Sequence, residues 1–125
     1  RLREEIGHSR GSGFPFATFI CINSGSEAMT VASRITDINA LKLTEPGGRY
    51  EDRRICGLTL KGSFHGRTDR PARLSDSTHE KYAEHLATFQ ESDYLLTVEP
   101  NDIEALEAVF AEADANGIFI EAFFM

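Results

Sequence analysis

Three apolar runs, at residues 55–60, 94–98 and 118–125, are separated by stretches too long for hairpin turns. A helical pattern precedes the first run and another lies between the second and third. Strands separated by helices imply an α/β layered sheet with parallel crossovers. The last run, Ile118-Phe119-Ile120-Glu121-Ala122-Phe123-Phe124-Met125, is almost continuously apolar, as expected of a strand covered on both faces. The expected order is helix, strand, loop, strand, helix, strand.

The helices are set by periodicity and by their ends. Over residues 24–41, Ala28, Val31, Ala32, Ile35 and Ile38 recur at spacings of three and four, which predicts one buried stripe. Ser24 and Glu27 form a Ser-x-x-Glu capping box at its start. Glu45-Pro46-Gly47-Gly48 then signals a turn. Asn101 is the expected cap of the later helix, with Glu104 three residues on and Gly117 as its stop. Ile103, Leu106, Val109, Phe110 and Ala113 make its apolar face, and Glu104, Glu107 and Glu112 its solvated one. The stretch 68–76 reads as irregular, with Pro71 inside it, and 79–86 as one or two helical turns. Residues 7–13, rich in glycine and serine, read as a loop, and 16–22 as a short apolar segment.

Composition excludes several classes. A net charge of -7 argues against a nucleic-acid surface, whose affinity comes from Lys and Arg on phosphates. No apolar run approaches the roughly 20 residues needed to span a bilayer. The charged start, Arg1-Leu2-Arg3-Glu4-Glu5, is not a secretory signal. A cytoplasmic location is therefore expected. The chain has no initiator Met and finishes on a strand-like run, so it is expected to be a segment of a longer protein. Cys21 and Cys56 both sit in apolar runs and read as small buried hydrophobes. His8, His79 and His85 lack companions at metal-ligand spacing and read as surface residues, so no metal site is expected.

Two short motifs carry chemistry. The first, Asn23-Ser24-Gly25-Ser26-Glu27-Ala28, opens the first helix. A helix start presents unpaired backbone N–H groups and the positive end of the dipole. Small residues at 24–26 let an anion approach those groups, and two hydroxyls can add bonds, so this is a candidate phosphate seat. An ordinary N-cap is the competing reading, and the two are compatible. The second motif, Gly62-Ser63-Phe64-His65-Gly66-Arg67-Thr68, follows the first strand. In open α/β sheets ligands bind beyond the C-terminal ends of strands. A planar ring there can stack on a heteroaromatic ligand, and the flanking glycines allow unusual backbone angles. The competing reading is a strand-to-loop turn with a buried Phe and a surface His.

Asn-Ser-Gly-Ser-Glu-Ala followed by Ser-Phe-His-Gly-Arg-Thr resembles the class-III pyridoxal-phosphate aminotransferases, the ornithine, acetylornithine and 4-aminobutyrate enzymes among them. The tract Asn101-Asp102-Ile103-Glu104-Ala105-Leu106, with the helix and strand after it, resembles the family's next segment. The likeness covers roughly residues 16–125, with variable stretches near 40–54 and 69–93, and Phe-His-Gly-Arg-Thr is its most specific part. It implies part of a fold-type-I large domain, with residues 1–125 a fragment of it. Its cofactor would be pyridoxal 5'-phosphate. Gly25 and Ser26, with Ser24, would hold the phosphate. Phe64 would stack on the pyridine ring with His65 beside it, and Arg67 and Thr68 would brace the loop. Ser26 stands where the family often has Ala.

The resemblance further implies transfer of an amino group from an amino donor to a 2-oxo acid, and a homodimer of the intact protein. No catalytic residue is assigned within the chain, because the family's Schiff-base lysine and the carboxylate facing the pyridine nitrogen fall later. Lys42, Lys61 and Lys81 do not stand in that lysine's context, and Glu121, followed by Ala122 instead of Pro, is not the family's Glu-Pro glutamate. The segment alone is then expected to be inactive. An aminomutase of the same family, or a non-catalytic α/β module with a phosphate at the helix start, remains an alternative.

Overall fold

The computed structural model describes residues 18–90 and 93–125. The charged start, the stretch 7–13 and His8 lie outside the described residues. Helix α1 runs over Gly25–Thr44, starting one residue after its cap and ending three past the sequence expectation. Ser24 Oγ accepts the Glu27 N–H at 3.2 Å. The Glu27 carboxylate reaches back, as a capping box requires, but takes the Asn23 N–H at 3.0 Å.

After α1 come strand β1 (Arg54–Leu60), helices α2 (Asp69–Arg73) and α3 (Asp76–His85), and a 3₁₀ turn at Ala87–Phe89. Strand β2 (Leu95–Val98), helix α4 (Ile103–Ala115) and strand β3 (Ile118–Phe124) complete the described chain. The sheet is parallel, with order β2-β1-β3. This is the α/β arrangement expected, a three-stranded parallel sheet flanked by helices. Parallel strands need crossover connections, here α2 and α3 between β1 and β2 and α4 between β2 and β3. Helix α1 packs on α2 and β3, and α4 on β2 and β3. Leu58, Cys56, Leu74, Val98 and Phe124 are buried in the core. No helix among the described residues is long and apolar enough to cross a membrane.

One irregularity in the sheet has a consequence. Cys56 pairs with Ile120 but Gly57 pairs with Ala122, so Glu121 is an extra residue on β3. A bulge of this kind re-aims a side chain. Here it carries the Glu121 carboxylate into the interior, where Arg70 Nη2 meets it at 2.7 Å. The same nitrogen lies 2.8 Å from the Tyr94 hydroxyl, and Arg70 Nη1 lies 3.3 Å from Asp37. The cluster joins α1, α2, the approach to β2 and β3.

Several expectations need correction. The stretch 68–76 is not irregular: it contains α2, and Pro71 fits at the third helical position because first-turn N–H groups have no helical partner. The cap of α4 is Asp102, whose side chain accepts the Ala105 N–H at 2.8 Å, while Asn101 adopts a φ of 60°. Its expected apolar face is only partly covered, since Ile103 and Phe110 are exposed. Cys21 is exposed, although Cys56 is buried as expected.

The largest departure is α1. Ile35 is 59% exposed and Ile38 61%, so the predicted stripe does not face the sheet. The packed face carries Thr30, Ser33, Thr36 and Ala40 instead. Thr30 Oγ1 donates to the Ser26 carbonyl at 2.8 Å, Ser33 Oγ to that of Thr30 at 3.1 Å, and Thr36 Oγ1 to that of Ser33 at 3.0 Å. Each hydroxyl is satisfied by its own helix, so small polar residues can be buried without an orphaned donor. The aliphatic stripe is left on the outer side. Bare stripes of this kind favour association. Replacing Ile35 by Glu and Ile38 by Lys together should shift the chain from aggregate toward monomer on gel filtration, with stability changed by no more than about 0.5 kcal/mol. Loss of the helical circular-dichroism signal would show instead that the stripe is part of the folded core.

Candidate functional site

Strand β1 delivers the chain to the C-terminal edge of the sheet, and residues 62–66 turn back there. Gly62 makes the turn with a φ of 77°, and its N–H donates to Asp76 Oδ2 at 2.7 Å. His65 N–H donates to Ser75 Oγ at 2.8 Å, and Ser75 Oγ in turn donates to the Pro71 carbonyl at 2.8 Å. Ser75 is fully buried. The loop is therefore held at both ends by the start of α3.

The loop and the tip of α1 touch. Gly66 has a φ of 129°, and a methyl group on it would overlap Ser26 Oγ and stand 3.0 Å from Ser26 Cβ. Thr30 and Thr68 hydroxyls lie 3.3 Å apart just behind that contact. The result is an open cleft of about 360 Å³ lined by Ser24, Gly25, Ser26, Met29, Phe64, His65 and Gly66. Ser24, Gly25, Ser26, Phe64 and His65, the five residues singled out in the sequence, thus share one concavity. Met29 and Gly66 complete it. Met29 follows from Ser26 at helical spacing, a signal available in the sequence.

The polar groups of the cleft are of two kinds. At the helix tip, the Glu27 N–H is taken by Ser24 Oγ and the Ala28 N–H by the Ser24 carbonyl. The Gly25 and Ser26 N–H groups have no partner among the described residues. Among the described residues, chain neighbours and the helix's own backbone aside, no heavy atom lies within 4 Å of where a Cβ on Gly25 would stand, so the approach is open on that side. On the loop, Phe64 is 53% exposed, with Arg67 Cζ 5.8 Å from its ring centroid. His65 Nε2 lies 2.9 Å from Thr59 Oγ1, and burial pushes its imidazole pKa below the usual value.

Behind the cleft, burial raises the Glu121 carboxyl pKa, and Arg70 only partly opposes this. Sequence reading passed over Thr59, Arg70 and Ser75, and took up Glu121 only to set it apart from the family's Glu-Pro glutamate. A signal existed for two of them: Thr59 and Glu121 are polar residues inside apolar strands, and such a residue must find a partner when buried. Lys61, which is not in the Schiff-base lysine's context and is expected to be structural or solvent-facing, is exposed and pairs with Glu99 at 2.8 Å. Of the histidines read as surface residues, His85 is exposed but His79 is only half-exposed, and its Nδ1 is buried.

Comparison with known proteins finds similarity to two enzymes, both acetylornithine aminotransferases. Over 121 residues, 97% of the chain, it is 33% identical to the acetylornithine aminotransferase of Xanthomonas axonopodis pv. citri. It is 32% identical over the same length to the acetylornithine aminotransferase of Xanthomonas campestris pv. campestris. The chain spans 27% of the length of these relatives. No family model and no solved structure matches it.

The Gly66–Ser26 contact sets a direct test of the cleft's construction. Gly66→Ala adds a methyl where there is no room, at a backbone angle that side chains disfavour. It should cost about 2 kcal/mol or more in urea denaturation. Adding Ser26→Gly should return part of that loss. An unchanged midpoint for Gly66→Ala would mean the loop and the helix tip are not packed together.

Proposed function

We propose that this chain is the central part of the large domain of a class-III aminotransferase, and that its cleft holds pyridoxal 5'-phosphate. The observation carrying the proposal is the convergence of the two motifs: free helix-tip amides and an accessible aromatic ring on one concavity. The similarity to acetylornithine aminotransferases along nearly the whole chain supports it.

The residues present fit such a cofactor. Its phosphate needs N–H and O–H donors in a positive field. The tip of α1 offers the unengaged Gly25 and Ser26 amides, together with the dipole of a 20-residue helix. Ser24 Oγ accepts from Glu27 N–H and donates its own proton to Glu27 Oε2 at 3.3 Å, so a phosphate would have to take that proton over from the Glu27 carboxylate. The cofactor's flat ring needs an aromatic partner, and Phe64 stands on the other wall. Arg67 lies over that ring and braces it. The hydrogen bonds from His65 N–H and to Pro71, both through Ser75, fix the loop before a ligand arrives.

When bound, pyridoxal phosphate would supply a carbonyl carbon that takes up and returns an amino group and a ring that accepts electrons. The contribution of this segment is grip and orientation. The lysine and the carboxylate that complete the chemistry are expected from the rest of the parent protein, so the segment by itself turns over no substrate. The intact protein would act on an amino donor and a 2-oxo acid. We propose it as a homodimer, in which the uncovered stripe on α1 is buried.

Phe64→Ala distinguishes this reading from a simple anion site. Stacking predicts that pyridoxamine 5'-phosphate binding weakens by roughly tenfold to a hundredfold, while inorganic phosphate binding barely changes. Phe64→Tyr should keep near-native affinity. Equal, small effects of Phe64→Ala on both ligands, by isothermal titration, would leave only an anion seat.

A further inference from the structure

Thr59 is fully buried near the C-terminal end of β1, and its hydroxyl has three polar neighbours. They are the Phe124 carbonyl at 3.1 Å, Ser63 Oγ at 2.7 Å and His65 Nε2 at 2.9 Å. A threonine hydroxyl has one proton to give and two lone pairs to fill. A carbonyl can only accept, so the Phe124 oxygen takes the Thr59 proton. Ser63 and His65 must then both donate to Thr59. If Thr59 instead turned its proton to His65, the carbonyl of buried Phe124 would lose that donor. Such a loss disfavours the alternative by roughly tenfold or more. His65 therefore carries its proton on Nε2. Its Nδ1 is left with a lone pair and no partner among the described residues.

We propose that Thr59 is a positioning residue that holds His65 as the Nε2–H tautomer, so that His65 offers the cleft a hydrogen-bond acceptor, Nδ1, for the ammonium or other N–H group of a ligand. This assigns the two walls opposite preferences. The helix tip presents donors and favours an anion. His65 presents a lone pair, favours a cationic or N–H-bearing group, and repels an anionic one. The lowered basicity from burial keeps the imidazole neutral, as an acceptor role needs. A ligand with a phosphate at one end and an amino group at the other meets both walls. The tautomer follows from the network alone, whereas the identity of that ligand rests on the function proposed above.

The test uses the chain with ring-¹⁵N-labelled histidine, with His65→Gln to assign the His65 signals. At pH 8, Nε2 should show the shift of a protonated ring nitrogen and Nδ1 that of a bare one. Thr59→Val should give a mixture of tautomers, and Thr59→Ser should restore the native spectrum. A protonated Nδ1 in the native chain, or an unchanged ratio in Thr59→Val, overturns the proposal. Should Thr59→Val not fold, the native spectrum decides alone. Adding pyridoxamine 5'-phosphate should move the Nδ1 signal in the direction of hydrogen-bond acceptance. Binding that leaves Nδ1 unmoved overturns the acceptor role and spares the cofactor assignment. No binding at all sinks the cofactor assignment and the acceptor role with it, while the tautomer result stands.

Discussion

The candidate site exists because Gly66 has no side chain. Its Cα lies against Ser26, close enough that a methyl group would not fit. This contact sets the loop after β1 beside the first turn of α1, two segments about forty residues apart in the chain. Without it, a capped helix start and a strand-to-loop turn would be two unremarkable surface features. With it, donors and an aromatic ring face one another across a cleft. The backbone angle of 129° at Gly66 reinforces the requirement, since L side chains seldom adopt it.

That contact in turn needs α1 and the sheet to hold their separation, and the Arg70 cluster does so. Glu121 is turned inward by the bulge on β3 and has a fully buried side chain. A buried carboxylate without a partner is expensive, so Arg70 is bound to stay beside it. Because Arg70 also reaches Asp37 and Tyr94, one guanidinium registers α1 against both the sheet and α2. Removing one partner of such a pair costs about 3–5 kcal/mol. The exposed Lys61–Glu99 pair contributes little by comparison, because solvent screens it.

Much of this architecture was legible in the sequence. The run 55–60 and the final apolar run gave two strands close to their limits, since buried parallel strands are simple to read. Ser24 was legible as a cap because its chemistry is local. The five cleft residues were legible through small-residue and aromatic patterning at two chain positions, although only the fold brings them together. The orientation of α1 was not legible. Periodicity shows which residues share a face but not which face meets the sheet, and here the small hydroxyl-bearing face won by allowing closer approach. Arg70 and Thr59 were missed for a related reason. Each gains its role from partners far along the chain, Glu121 in one case and Phe124 in the other. Pro71 misled because a proline read alone marks irregularity, whereas in a first turn it is tolerated.

The account stands on the helix tip and the loop acting as one binding site. Backbone amide shifts followed during a pyridoxamine 5'-phosphate titration test this most directly. The account predicts that the Gly25 and Ser26 amides and the Phe64–Gly66 amides move together, on one isotherm with one midpoint. Movement at the helix tip alone, or two sets of amides with separate midpoints, would contradict it.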